Sequence, residues 1–385
     1  MKKLNLLLVC LVSVLNINAE IYLGLCGDNA KYSLDTSTGL LSITGTGAMT
    51  DYGYGINAPW YSNRSYIKTV NIADGITSIG GYAFNKCEQL KSVTISNSVT
   101  SIGEEAFSGC SCLTSIEIPN SITSIGNGIF QGCSSLETVT IPNSVTSIGW
   151  YAFSGCGLTS FEIPNSVTEI AWFAFSGCSC LTSIEIPNSI TSIGSAIFQG
   201  CSSLESVTIP NSVTSIGTNV FSNCSKLSDV YCYAENAPTT EINTFKNFNI
   251  EKATLHVTET SINAYKTTSP WSGFGTIVIG KCAKPTISFV DGKIIFNCET
   301  EDVEYVYHIN PIAAIDGNGN NISLPTIMVT VYATKQDFEN SDVATKEINL
   351  GTSGVRGDLN GDGVVNMPDA MFIVNKMLKD KFPDE

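Results

Sequence analysis

Hydrophobic residues return along this chain at an interval far longer than any helix or strand period. Isoleucines stand at 79, 102, 125, 148, 170, 193 and 216, phenylalanines at 84, 107, 130, 153, 175, 198 and 221, and cysteines at 87, 110, 133, 156, 178, 201 and 224. Successive members lie 23 residues apart, with one step of 22 where Cys156-Gly157-Leu158 replaces a Cys-x-x-Leu. A fixed period of this length marks a solenoid, because one unit cannot bury its apolar side chains without a stacked neighbour. Within a unit, Leu136, Val139 and Ile141 predict a short extended segment closed by Pro142. Val145 and Ile148 predict a second extended piece, and Ala152, Phe153 and Cys156 a return turn. Stacking such units at the strand spacing of about 5 Å predicts continuous interior ladders of Ile, Phe and Cys. Asn97, Asn120, Asn143, Asn165, Asn188 and Asn211 recur after the first extended segment. Their side chains can satisfy backbone groups in the turn, so an asparagine ladder is expected.

Residues 107–149 and 175–217 differ only at 127/195, 128/196 and 138/206, so a three-coil block has been duplicated. Between the copies the pattern breaks. The two variable positions after the Ile-Gly step are Glu104-Glu105, Asn127-Gly128, Ser195-Ala196 and Thr218-Asn219 in four coils. In two adjacent central coils they become Trp150-Tyr151 and Trp172-Phe173. Stacking places Trp150 near Trp172 and Tyr151 near Phe173. Clustered exposed aromatics mark interaction sites, which makes Trp150, Tyr151, Trp172 and Phe173 the candidate ligand-binding residues. The alternative is that the rings fold back over a wider turn, since Ala171 also replaces the usual Gly.

The 385 residues carry a formal charge of −15 and only two histidines, His256 and His308. The acidic balance argues against nucleic acid as a partner, because phosphate binding needs clustered Lys and Arg. From Cys87 to Cys224 there is no His, Asp or Arg, and one lysine, Lys91, stands against nine glutamates. Acid, base and nucleophile are hard to assemble from Glu, Ser, Thr and Cys alone, so an enzyme is not expected. Glu117, Glu162 and Glu185 alternate with Thr94, Thr140 and Thr208 at an outward strand position. A glycosidase would need two facing carboxylates, and a ladder gives like-charged neighbours without a cleft. The seven ladder cysteines read as buried thiols.

The chain opens with Lys2 and Lys3, an apolar run from Leu4 to Leu15, and Asn16-Ile17-Asn18-Ala19. This is the pattern of a cleaved secretory signal over residues 1–19, too short to span a bilayer. Its removal takes away Lys2 and Lys3, moving the charge from −15 to −17. No later stretch is long and apolar enough for a transmembrane segment, so a secreted or cell-surface protein is expected.

The repeat resembles the leucine-rich repeats of the BspA-like, Treponema-type class of secreted bacterial surface proteins. The likeness extends to Cys26-Gly27-Asp28-Asn29, the run Leu40–Met49 and Ala58-Pro59-Trp60-Tyr61, similar to that family's N-terminal cap. It also covers Ala264-Tyr265-Lys266 and Pro270-Trp271, similar to its C-terminal closure. The resemblance implies a non-catalytic protein that binds an extracellular protein or a glycan.

The period is lost after Cys282. Alternating runs at 286–289, 293–296, 303–307 and 327–332, separated by Asp291-Gly292 and Asp316-Gly317-Asn318-Gly319, predict a small β-sandwich. Further on, Asp358, Asn360, Asp362, Asn366 and Asp369 offer side-chain oxygens at loop positions 1, 3, 5, 9 and 12. Gly363 stands at 6, and Val364 offers its carbonyl at 7. This spacing wraps Ca²⁺, and an apolar helix face follows with Ala370, Ile373, Val374, Met377 and Leu378. Loop and helix resemble one half of a type I dockerin, which implies a cohesin-like partner; a full dockerin carries two halves, and here there is one.

The expected fold is thus mainly β, a leucine-rich-repeat solenoid with caps, then a small β-sandwich and a short calcium-loop tail. The expected boundaries are a signal at 1–19, an N-terminal cap at 20–77, seven coils at 78–228 and a C-terminal cap at 229–281. A β-sandwich at 282–350, a linker at 351–357 and the dockerin-like half at 358–385 complete the chain. The expected function is a secreted recognition or adhesion protein. An accessory component of an extracellular polysaccharide-processing assembly, docked through the tail, is the alternative.

Overall fold

The computed structural model describes residues 20–53, 55–241, 243–280, 286–290, 293–297, 304–312, 326–334, 340–341 and 343–349. The expected signal at 1–19, the linker at 351–357 and the calcium loop and helix at 358–385 lie outside these residues. Contacts divide the chain into a unit that ends at Val278 and a unit from Ile279 onward, with Thr258–Thr260 assigned to the second.

The first unit is a β-solenoid. Its start is not a repeat but a three-stranded template: β1 (Ile21–Leu25), β2 (Asn29–Asp35) and β3 (Leu40–Ala48), paired antiparallel. β3 then changes role. Its first half pairs parallel with β4 (Thr69–Ile72), matching Leu41 with Val70 and Ile43 with Ile72. Its last residues pair parallel with β5 (Ile76–Ile79). One nine-residue strand therefore starts both strand rows of the solenoid. The bend passes through Gly45 at φ 101°, where a Cβ would stand 2.1 Å from the carbonyl of Asn29, so only glycine fits.

The later coils, one excepted, repeat two short strands and a turn. The first-strand row runs through Ser92–Ile95, Ser115–Glu117 and Thr138–Thr140, then Ser183–Glu185, Ser206–Ile209, Asp229–Cys232, Thr254–Val257 and Thr276–Ile279. The second row runs through Ser101–Ile102, Ser124–Ile125, Ser147–Ile148, Glu169–Ile170, Ser192–Ile193 and Ser215–Ile216. Neighbours pair parallel and in register, for example Ile148 with both Ile125 and Ile170.

Inside, the phenylalanines form one unbroken stack. From Trp60 through Phe84, Phe107, Phe130, Phe153, Phe175, Phe198 and Phe221 to Phe245, successive ring centroids lie 5.2–6.0 Å apart with planes within 18°. Such stacking adds about 0.5–1.5 kcal/mol per pair beyond area burial. Trp60 closes one end and donates its indole N–H to the Ala83 carbonyl at 2.8 Å. Trp271 and Phe274 close the other, both edge-on to Phe245. Tyr265, fully buried on the short helix Ile262–Thr267, donates to the Ala234 carbonyl.

The ladder thiols satisfy backbone oxygens. Cys110, Cys133, Cys156, Cys178, Cys201 and Cys224 each donate S–H to the Phe carbonyl of the preceding coil at 3.1–3.3 Å. All eleven described cysteines are free thiols. The expected asparagine ladder is instead a serine ladder. The six asparagines are exposed, while Ser98, Ser144, Ser166, Ser189 and Ser212 donate to carbonyls of the preceding coil at 2.5–2.8 Å, and Ser121 does the same to Val99. The hydroxyl sits one residue further on and is part-buried against the preceding coil.

The short coil is the irregular one. With one residue missing, Gly157 lies against the Ser134 carbonyl, where a Cβ would stand 2.4 Å away. Residues 157–163 form no strand, and the first-strand row is interrupted there. Phe161, standing where other coils carry Ile116, Val139, Ile184 or Val207, fills the space. It contacts Phe153 at 5.0 Å and Phe175 at 4.8 Å.

In the second unit Thr286–Val290 and Lys293–Asn297 form an antiparallel hairpin, and Glu304–Ile312, Thr326–Thr334 and Ala344–Asn349 an antiparallel sheet. Phe296 of the hairpin packs between Tyr305 and Tyr307 of the sheet, at 5.5 Å from each.

Candidate interaction surface

The return turn fixes what the solenoid shows to solvent. In every coil the second variable position takes a left-handed backbone: Tyr82, Glu105, Gly128, Tyr151, Phe173, Ala196 and Asn219 have φ between 51° and 61°. Glycine and asparagine tolerate this conformation, whereas another residue costs roughly 1–2 kcal/mol. Tyr151 and Phe173 therefore sit where the backbone disfavours large side chains. Their frame is nonetheless held: the Tyr151 N–H donates to the Trp172 carbonyl and the Phe173 N–H to the Ser195 carbonyl, both at 3.3 Å. The Trp150 N–H donates to the Asn127 side-chain oxygen at 3.0 Å.

The four rings meet as two short ladders. Trp150 and Trp172 lie 6.1 Å apart at 11°, and Tyr151 and Phe173 lie 4.8 Å apart at 5°. The indoles do not fold back over the turn, for Trp150 is 55% and Trp172 54% exposed, with Tyr151 at 38%. Phe173 is half-buried. Trp172 lies along the next coil over Gly194, where a Cβ would stand 3.0 Å from its ring. Among the described residues neither indole N–H has a hydrogen-bond acceptor in the protein. The flanking turn positions are uncharged: Asn127 and Gln131 on one side, Ser195 and Gln199 on the other. The arrangement offers apolar ring surface and two free donors in a neutral setting, which suits recognition rather than bond-making chemistry.

The outward strand row is a separate face. Glu117 pairs with Thr140 and Glu185 with Thr208, and the carboxylates of Glu117, Glu162 and Glu185 are exposed. Among the described residues no group of three or more His, Cys, Asp or Glu is arranged to hold a metal ion. Sequence reasoning missed how this row ends. Tyr231 stacks on His256 at 4.2 Å, and His256 Nε2 lies 2.8 Å from Asp229 Oδ1. The 23-residue period has lapsed there, so no spacing signalled the contact. The six donors expected to bind Ca²⁺, Asp358 to Asp369, lie outside the described residues.

With fold and surface in view, the class is that of leucine-rich repeat proteins. The sequence matches the family described as BspA type Leucine rich repeat region over residues 55–171 and 146–268, in six copies. The chain belongs to that family. Among solved structures it is similar to a leucine-rich repeat protein from Bacteroides ovatus at 23% identity, covering 66% of this chain and 76% of that one, with a TM-score of 0.42. It is also similar to the T. pallidum leucine-rich repeat protein, at 30% identity over 52% of this chain and 89% of that one, TM-score 0.40. A leucine-rich cell surface protein from Faecalibacterium prausnitzii matches at 25% identity over 68% and 94% of the two chains, TM-score 0.33. A search of curated proteins found no match. Among the described residues no helix is long and apolar enough to cross a membrane.

Proposed function

We propose that this chain is an exported, non-enzymatic recognition protein that binds an extracellular protein or glycan through Trp150, Tyr151, Trp172 and Phe173. The exposed double ladder carries the reading. Two indoles more than half exposed, beside two further rings on a left-handed backbone that disfavours them, need a compensating role, and ligand contact supplies one. The neutral surroundings favour a partner recognised by ring contact and hydrogen bonding over one captured by charge.

In the same reading residues 1–19 direct export. The donors Asp358, Asn360, Asp362, Asn366 and Asp369 with the carbonyl of Val364 hold Ca²⁺, an all-oxygen set suited to a hard cation. Calcium then orders the tail, whose carboxylates repel one another without it.

The test is an array of matrix proteins and glycans probed with the mature protein and with the W150A/W172A variant. Loss of two anchor aromatics is expected to weaken the identified ligand by at least ~30-fold. Thermal stability should change little, because both indoles lie largely in solvent. Equal binding of every ligand by parent and variant rejects the proposal.

A further inference from the structure

The N-terminal edge of the solenoid carries a second surface, unrelated to the aromatic ladders. Among the described residues β1 lies at the end of its sheet, paired only with β2. Its sequence, Ile21-Tyr22-Leu23-Gly24-Leu25, alternates three aliphatics with Tyr22 and Gly24, of which Tyr22 is half-buried. Tyr22 packs against the core, and Gly24 makes room for Tyr32, whose ring would stand 2.7 Å from a Cβ there. Ile21, Leu23 and Leu25 face out, at 64%, 71% and 60% exposure. They are the most exposed run of aliphatic side chains on any described strand.

Among the described residues the backbone of the same three residues is also unpaired. The Cys26 N–H donates to the Ala30 carbonyl at 2.9 Å, and the Thr36 N–H to the Glu20 carbonyl at 3.1 Å. Both bonds belong to pairs in the register that matches Tyr22 with Leu34 and Gly24 with Tyr32. Even-numbered residues of β1 therefore turn their N–H and C=O toward β2. By alternation, Ile21, Leu23 and Leu25 turn theirs toward the open edge. Natural sheets blunt such edges with Lys, Pro or a bulge, and β1 has none of these.

The stripe is symmetric about its centre, and this selects the occupant. We propose that β1 pairs antiparallel with β1 of a second copy of this chain, about a two-fold axis at Leu23. Leu23 then faces Leu23, and Ile21 of one copy faces Leu25 of the other. All three outward residues fall in hydrogen-bonded pairs, each exchanging two N–H···O bonds. Directly opposed side chains in such a pair share a face, so every aliphatic of the stripe meets an aliphatic. A shift by one residue places the outward-facing groups opposite groups already bonded to β2, and a shift by two restores the alternation but leaves one aliphatic of each stripe without an aliphatic opposite. The closed, isologous contact joins two solenoids at their N-terminal ends and leaves both aromatic surfaces free. The stripe is smaller than the ~1,200 Å² of a standard interface, so a dimer in the micromolar range is expected, formed against the mutual repulsion of two acidic chains.

Sedimentation velocity of the mature protein over a concentration series at physiological salt reads the equilibrium. The parent should dimerise reversibly. I21K/L25K sets Lys against Lys at both outer pairs and should weaken the dimer by about two orders of magnitude. I21E/L25K removes the same aliphatics but sets Glu against Lys and should stay within about tenfold of the parent. The three exposed side chains contact little of the core, and circular dichroism on each variant checks that it is folded. L23C in a C112S/C180S/C282S/C298S background, which removes the two thiols outside the core among the described residues and the two beyond them, should oxidise to a covalent dimer, because opposed Cα atoms about 5.5 Å apart lie within disulfide range. A parent that remains monomeric throughout, as it would if another part of the chain or a different partner covers β1, overturns the proposal. So does a dimer that I21K/L25K leaves intact, or equal loss in I21K/L25K and I21E/L25K.

Discussion

Phe161 is the residue that makes a coil of 22 compatible with neighbours of 23. The perturbation is F161I, which restores the side chain that Ile116 and Ile184 place at this position. Phe161 is 9% exposed and lies edge-on or tilted to Phe153 and Phe175 at 5.0 and 4.8 Å. Losing two aromatic contacts costs about 1–3 kcal/mol, and the unfilled volume of the ring adds to it. A total of about 2–4 kcal/mol follows, and the isoleucine recovers little of it because it cannot reach both rings. The informative partner is insertion of one serine between Gly157 and Leu158, which restores the 23-residue step. With Phe161 kept, the regular coil has no room for the ring, and overpacking costs about 1–3 kcal/mol. Combined with F161I, the insertion rebuilds an ordinary coil, and stability should return to within about 1 kcal/mol of the parent. Urea denaturation followed by circular dichroism reads all four proteins, and the shared slope checks that the cooperative unit is unchanged. Destabilisations that simply add in the double variant would refute the compensation, because independent sites add and coupled ones do not.

Two further outcomes follow from the ladder and the tail. Burial pushes the thiols of Cys87, Cys133, Cys178 and Cys224 up to about 12, and those of Cys110, Cys156 and Cys201 well above the ordinary 9.0. A thiol held protonated in the folded state gives stability that is complete below pH 9 and lost toward pH 12, at about 1.4 kcal/mol per pH unit per thiol. The protein should lose stability steeply above pH 9, and C133A should reduce the slope; a flat urea midpoint from pH 8 to 10.5 contradicts this. Calorimetry of the mature protein should show Ca²⁺ binding that D362A removes, and heat unchanged by D362A contradicts the loop assignment.

The ladders were legible because a period longer than any secondary structure leaves one explanation, and each of Ile79, Phe84 and Cys87 begins a series that ends up buried, with Ile170 alone only partly so. The adjacency of Trp150 with Trp172, and of Tyr151 with Phe173, follows from the same arithmetic. The serine ladder did not, since Asn143 and Ser144 share one spacing and periodicity cannot say which points inward. The role of β3 escaped for a different reason. A strand that pairs antiparallel on one side and parallel on the other leaves no repeat in its own sequence. The left-handed turn position was half visible in Gly128 and Asn219, but Tyr151 and Phe173 masked it by breaking the residue preference that would have revealed it.

That turn position has a consequence for how the molecule diversifies. Its backbone is fixed by bonds from coil to coil, and in five of the seven coils its side chain stays out of the fully buried core. Exchange at these sites can therefore alter what is displayed without retuning the stack beneath. The molecule holds an internal record of this. The copies 107–149 and 175–217 have drifted at three places, and two of the three are the turn pair, 127/195 and 128/196. Of that pair, 127/195 is solvent-accessible and exchanges Asn for Ser, whereas the buried 128/196 changes only from Gly to Ala, so each added coil brings an outer address at which a contact can be rewritten and an inner one that stays small.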